Sequence, residues 1–166
     1  AGQGPLTTRH PESIAMSDAL TTIRLTQRQD YQFDTQFGDT VPDLVADEPA
    51  PLGQGLGPSP VQLLCAAVGN CLSASLLFSM RKYKLAPEPL SCEVTATVGR
   101  NAENRLRVLG MAARLTLGVP AASLGHLERV LAQFESFCTV TESIRQGVPV
   151  TVEVFDSEGN HCMRQA

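Results

Sequence analysis

An α+β fold is predicted by three features of the sequence. Two alternating strand-like segments open it, a long uncharged helical run fills its middle, and the later strands and helices do not alternate as βαβ units. At 166 residues with 43% hydrophobic content, the chain has the size and apolar fraction of one folded domain. The expected order is β-β-β-α-β-β-α-α-β, within a domain spanning residues 21–166 and preceded by an extension over residues 1–20.

Each element has its own local signal. Thr21–Arg28 and Tyr31–Phe37 alternate apolar and polar residues, and a short third strand is expected near Val41–Val45. The Gly/Pro-rich stretch Asp47–Pro60 continues neither regular structure. Ser59-Pro60 then opens a helix, with a hydroxyl cap followed by a proline whose missing N–H costs nothing in the first turn. That helix runs to about Tyr83, ahead of Pro87 and Pro89. Cys92–Val98 and Arg105–Val119 read as strands joined by a turn at Asn101–Asn104. Ala121–Phe137 carries Leu124, Leu127, Val130, Leu131 and Phe134 at helical spacing, predicting one apolar-striped helix. A break near Cys138, a short helix Thr141–Gln146 and a strand Val148–Val154 complete the domain, and a polar tail follows.

Composition narrows the function classes. With 13 basic against 17 acidic residues, no Trp and two Tyr, both the charge and the stacking surfaces of a nucleic-acid binder are scarce. Residues 63–80 contain no charge and are long enough for a minimal membrane span, yet Asn70, Ser73, Ser75 and Ser79 interrupt them. A buried central helix is therefore expected, with no membrane partner. The N-terminal residues show no apolar signal segment. Charge is segregated: no Lys or Arg falls between Arg28 and Arg81, while Asp30, Asp34, Asp39, Asp43, Asp47 and Glu48 do. Arg100, Arg105, Arg107 and Arg114 cluster later. Two solvated faces, or attraction between these regions within a chain or across a dimer, both follow from this pattern.

The cysteines are Cys65, Cys71, Cys92, Cys138 and Cys162. An odd number without a CxxC pair fits thiols in a reduced, cytoplasmic setting better than a disulfide scaffold. Cys71 lies mid-helix on an apolar face with Leu64, Val68, Ser75 and Phe78. Cys65 points some 120° away from it. Cys138 follows an apolar helix at a break, where a side chain is presented to a pocket. No zinc-like ligand spacing is present, so no metal or cofactor is expected. A Cys71–His126 hydrolase pair is chemically conceivable, although His126 reads more simply as a surface residue.

Two segments resemble a known family. Pro58–Cys71 (PSPVQLLCAAVGNC) resembles the first signature of the OsmC/Ohr family of organic-hydroperoxide-reducing proteins, in which a proline-led helix carries the reactive cysteine. Phe137–Val150 (FCTVTESIRQGVPV) is similar to its second motif, and the resemblance extends over about residues 21–156. It implies antiparallel sheets wrapped around long central helices in an intertwined homodimer. It also implies reduction of organic hydroperoxides, with Cys71 forming a sulfenic acid that Cys138 resolves to a disulfide. A small thiol or lipoyl-type reductant would then restore the pair. In peroxidatic members an Arg, oriented by a Glu ten residues before the reactive cysteine, activates the thiol. Here that Glu position is Val61, Arg28 (with Arg24 nearby) is the candidate cation, and Thr139 replaces a frequent Pro. These departures resemble the broader OsmC-like branch, for which a non-catalytic, ligand-binding or redox-sensing dimer is the alternative.

Overall fold

A computed structural model describes residues 19–165. The expected N-terminal extension, apart from its last two residues, lies outside the described residues. The fold is mixed α and β, with three separate antiparallel sheets and one long helix. Strands β1 (Arg24–Gln29), β2 (Gln32–Gln36) and β3 (Leu44–Ala46) form the first sheet in that order, where strands were expected. The β1–β2 turn places Asp30 at φ 44°, and the Gln27 side-chain amide donates to the Asp30 carbonyl at 3.0 Å.

Helix α1 (Pro60–Lys82) begins as the sequence predicts. The Gln62 N–H donates to Ser59 Oγ at 3.3 Å, and the Ser59 N–H donates to Gln62 Oε1 at 2.8 Å, a reciprocal capping box. Arg81 and Lys82 in the last turn oppose the negative end of the helix dipole. Val68, Leu72, Leu76 and Met80, spaced four apart, form its buried stripe. They meet Leu124, Val130, Phe134 and Cys138 in the hydrophobic core. Each fully buried aliphatic side chain here contributes roughly 1.5–3 kcal/mol over its exposed state. The opposite face of α1, including Ala67, Asn70, Ala74 and Phe78, is exposed. The helix is thus long and apolar enough to cross a membrane by composition, yet it packs one face on protein.

Strands β4 (Ser91–Arg100) and β5 (Leu106–Thr116) form a long hairpin, with β4 against α1. Its turn is where the sequence places it: the Arg105 N–H donates to Asn101 Oδ1 at 2.9 Å, and Asn104 takes φ 59°. The next segment departs from expectation. The single helix predicted over Ala121–Phe137 is instead a 3₁₀ turn at Ala121–Ser123, a short helix α2 (Leu127–Leu131) and a second 3₁₀ turn at Phe134–Phe137. Gly125 and a left-handed His126 at φ 61° break it. The apolar stripe survives the break because Leu124, Val130 and Phe134 still reach the core.

Helix α3 (Thr139–Gln146) starts two residues earlier than expected. The last strand begins at Val152 rather than Val148, and the polar tail forms a second strand: β6 (Val152–Phe155) pairs with β7 (His161–Gln165). Asp156 organises their turn by accepting N–H bonds from Glu158 at 2.9 Å and Asn160 at 2.8 Å. That carboxylate turn is the signal the polar composition masked.

The loop between β3 and α1 is built around Asp47, a carboxylate with 2% of its surface exposed. Oδ2 accepts the N–H groups of Gln54 and Leu56, each at 3.1 Å. Burial works against its charge, but these bonds, with the Glu48 N–H and the Gln32 side chain, hold the carboxyl below its ordinary value. A group depressed on folding stabilises the protein above its unfolded pKa of about 3.9 and loses that contribution as pH falls through the folded value. Urea midpoints measured from pH 5 downward should therefore drop in the parent chain, and the drop should be shallower in Asp47→Asn. Equal acid limbs in both proteins would show that the charge on Asp47 does not hold the loop.

Candidate active site

Cys71 lies midway along α1, half-buried, at the edge of the exposed face. Cys138 closes the 3₁₀ turn Phe134–Phe137 and stands at the N-cap of α3, with none of its surface exposed. The fold brings them together: Cys71 packs against the core cluster that contains Cys138, each thiol acts on the other's ionisation, and both are free. Residues 67 positions apart in sequence thus meet because α3 packs on the middle of α1.

The surroundings of the two sulfurs are polar but uncharged. Cys138 Sγ lies 3.1 Å from Thr141 Oγ1. The Thr141 N–H is not aligned for a cap bond in this state, yet it lies close enough to favour a thiolate there. The Val140 N–H favours a thiolate on Cys71, and the Ser75 hydroxyl favours one on either sulfur. Burial and its bond to Cys138 push the Cys71 thiol up. Burial opposes ionisation of Cys138 too, but donation from Cys71, Thr141 and Ser75 outweighs it and brings that thiol down. The two are coupled: burial and Cys138 disfavour a thiolate on Cys71, while the donors around Cys138 favour one there.

The expected activating groups are placed elsewhere in the chain. Arg28 Nε and Nη2 donate to Asp34 at 3.3 and 2.7 Å across the β1–β2 hairpin, both side chains being exposed. Arg24 borders a different cleft with Asp39 and Asp43. Neither arginine is among the groups acting most strongly on Cys71 or Cys138. Val61 is the second residue of α1 and half-buried, ten residues and about 15 Å of helix from Cys71. His126 packs its ring 5.8 Å from that of Tyr83, at the start of α2.

The other three cysteines lie apart from this pair. Cys65 and Cys92 border a shallow groove beside Gly69, and Cys162 is exposed on β7. Among the described residues no group of three or more His, Cys, Asp or Glu side chains is placed to hold a metal.

An apolar cleft of about 420 Å³ opens between α1, β5 and α3, lined by neighbours of the thiol pair but by neither cysteine. Leu64, Val68, Leu72, Val108 and Met111 line its walls, and Thr141 reaches it from the Cys138 side. Arg145 stands at its rim, bound to Glu142 at 2.6 Å and Glu135 at 2.5 Å, so its charge is already compensated. On the other flank Phe78 and Phe137 meet edge to face at 5.6 Å, with the Lys82 ammonium within 4.5 Å of both ring centres. Sequence reasoning put Ser75 on the Cys71 face but gave Thr141 no role. Its signal was the i, i+3 spacing from a residue that caps a helix.

Comparison with known proteins places the fold and the family. No curated protein matches the sequence. Solved structures do: an OsmC-like protein of unknown function from Vibrio cholerae superposes with a TM-score of 0.62 at 16% identity, covering 76% of this chain and 94% of that one. An organic hydroperoxide resistance protein, OsmC, from Legionella pneumophila gives a TM-score of 0.59 at 19% identity, covering 78% and 91%. The organic hydroperoxide resistance protein OhrB of Bacillus subtilis gives 0.58 at 18%, covering 76% and 93%. Those identities speak for the fold alone. The family model described as OsmC-like protein matches residues 53–153, from the loop before α1 through both cysteine motifs to β6. The chain belongs to the OsmC-like protein family.

Proposed function

We propose that this protein reduces organic hydroperoxides with its own thiols, Cys71 forming a sulfenic acid that Cys138 resolves. The observation that supports this reading is the convergence of two free thiols, the half-buried Cys71 packing against the core cluster that contains Cys138. Cys71 is the one with exposed surface, so it meets the oxidant, while Cys138 waits beneath it. Cys71 passes its proton to the Cys138 thiolate and attacks one peroxide oxygen, the O–O bond breaks, and an alkoxide leaves. The alkoxide takes a proton and departs as an alcohol. Cys138 then displaces hydroxide from the sulfenic sulfur, and a small thiol or lipoyl-type dithiol returns the disulfide to two thiols. The apolar cleft and the Phe78–Phe137 pair suit an organic substrate rather than hydrogen peroxide.

The working unit is a homodimer in the cytoplasm. Every residue of β1 is exposed, and on α1 Ala67, Ala74 and Phe78 leave apolar surface open beside Asn70, surface that a second copy would cover. The acidic first sheet and the Arg-rich β4–β5 hairpin are complementary across such an interface. A partner would also be the source of the missing cation, Arg28 being the candidate. The neutral surroundings of the pair within one chain, with Val61 in the Glu position, favour a second reading: a dimer whose thiols respond to oxidation without turnover.

Excess cumene hydroperoxide with a dithiol reductant separates the two, since the proposed activity turns over repeatedly and the sensing dimer stops after one equivalent. One equivalent added to the reduced protein tests both. The proposed activity predicts rapid peroxide consumption with loss of two of the five thiols. Five thiols persisting with peroxide unconsumed would overturn both oxidation-based readings.

A further inference from the structure

Building on the assignment of Cys71 and Cys138 as a redox couple, we propose that Thr141 is a positioning residue for disulfide closure. It holds the Cys138 sulfur against Cys71 and stabilises it as the attacking thiolate. The argument begins with burial. Cys138 has no exposed surface, so solvent does not supply hydrogen bonds to its sulfur, and any charge formed there depends on protein donors. Thr141, itself buried, places Oγ1 3.1 Å from that sulfur. The two residues are tied by the first turn of α3, Cys138 at its N-cap and Thr141 three positions on. A rigid turn therefore fixes the separation, and the same sulfur that Thr141 holds is the one that Cys71 acts on.

The hydroxyl suits both states of the sulfur. In the reduced protein the Cys138 thiol donates to Thr141 Oγ1. When that proton leaves, the hydroxyl rotates and donates to the thiolate, as a hydroxyl is both donor and acceptor. The Thr141 N–H adds to this at the positive end of the helix. In the closing step an electron pair on the Cys138 thiolate forms the S–S bond as the S–O bond of the Cys71 sulfenic acid breaks. Hydroxide leaves and takes a proton to become water. The oxidant is the organic hydroperoxide of the proposed activity. With a small aromatic disulfide in its place, the same thiolate displaces an aromatic thiolate from Cys71, and the electron balance is unchanged.

The test compares the parent chain with Thr141→Val and Thr141→Ser, measuring closure from both starting points across pH. Relative to the first oxidation of Cys71 measured in the same variant, Thr141→Val is expected to slow closure at least tenfold and move its pH midpoint upward. Thr141→Ser should restore the rate and the midpoint. Thr141→Ala carries the same test should the valine variant unfold. An unchanged closure rate and pH midpoint without the hydroxyl, or a serine variant as slow as valine, would overturn the role of Thr141 whatever the peroxide result. If hydroperoxide oxidises no thiol while closure from the mixed disulfide still depends on Thr141, the peroxidase reading falls and the positioning role stands.

Discussion

Replacing Cys71 with serine is expected to abolish the stoichiometric burst of hydroperoxide consumption. The serine hydroxyl is almost wholly protonated at neutral pH and forms no sulfenic acid, so the loss should be on the order of 10³-fold or more, as for removal of an enzymatic nucleophile. Cys138→Ser should behave differently: Cys71 still reacts once, but its sulfenic acid persists and is trapped by a dimedone-type reagent instead of closing to a disulfide. Stopped-flow loss of peroxide and a count of free thiols distinguish the two variants. A burst surviving in Cys71→Ser would move the chemistry to another cysteine. Cys71 is only half-buried, so this variant should fold with close to parental stability.

Gly57→Ala should have the largest effect on stability among substitutions at the entry to α1. A Cβ at Gly57 would stand 1.7 Å from the Val45 carbonyl oxygen and 2.7 Å from its carbon. Both are backbone atoms of the segment paired with β2, so neither yields as a flexible side chain would. The loop carrying Ser59 and Pro60 must move instead, loosening the Asp47 N–H bond to the Pro58 carbonyl. The expected cost is about 3 kcal/mol or more, the upper range for overpacking a rigid site. Gly125→Ala is the control. Nothing lies within 4 Å of its Cβ, so it should fall within about 0.5 kcal/mol of the parent. Urea midpoints for the two variants check both figures. Equal midpoints would contradict the close backbone packing of the loop.

Those two substitutions mark what the residue pattern conveys and what it hides. The start of α1 was legible because Ser59, Pro60 and Gln62 act locally, within one turn. The β4–β5 turn was legible for the same reason through Asn101 and Asn104. The break at Gly125–His126 was not, since the apolar spacing through it is satisfied by any path that brings Leu124, Val130 and Phe134 to α1. The β6–β7 hairpin was hidden by its composition: a short polar turn capped by Asp156 looks like a tail until its partner strand is in place. At the site, the pairing of Cys71 with Cys138 came from motif resemblance, because helical periodicity carries no information on which distant thiol lies opposite. The environment of the pair was out of reach altogether. It is set by the N-terminus of α3, whose N–H groups and Thr141 hydroxyl reach the sulfurs only after α3 packs on α1.

Peptide mapping of the oxidised protein tests the central claim most directly. The reduced protein is treated with one equivalent of an organic hydroperoxide, quenched with an alkylating reagent and digested without reductant. The account predicts one intrachain disulfide, joining the peptide that contains Cys71 to the peptide that contains Cys138, with Cys92 and Cys162 alkylated and Cys65 free of any bond to Cys71. Alkylation of Cys71 and Cys138 as free thiols, or a disulfide between any other pair, would contradict it.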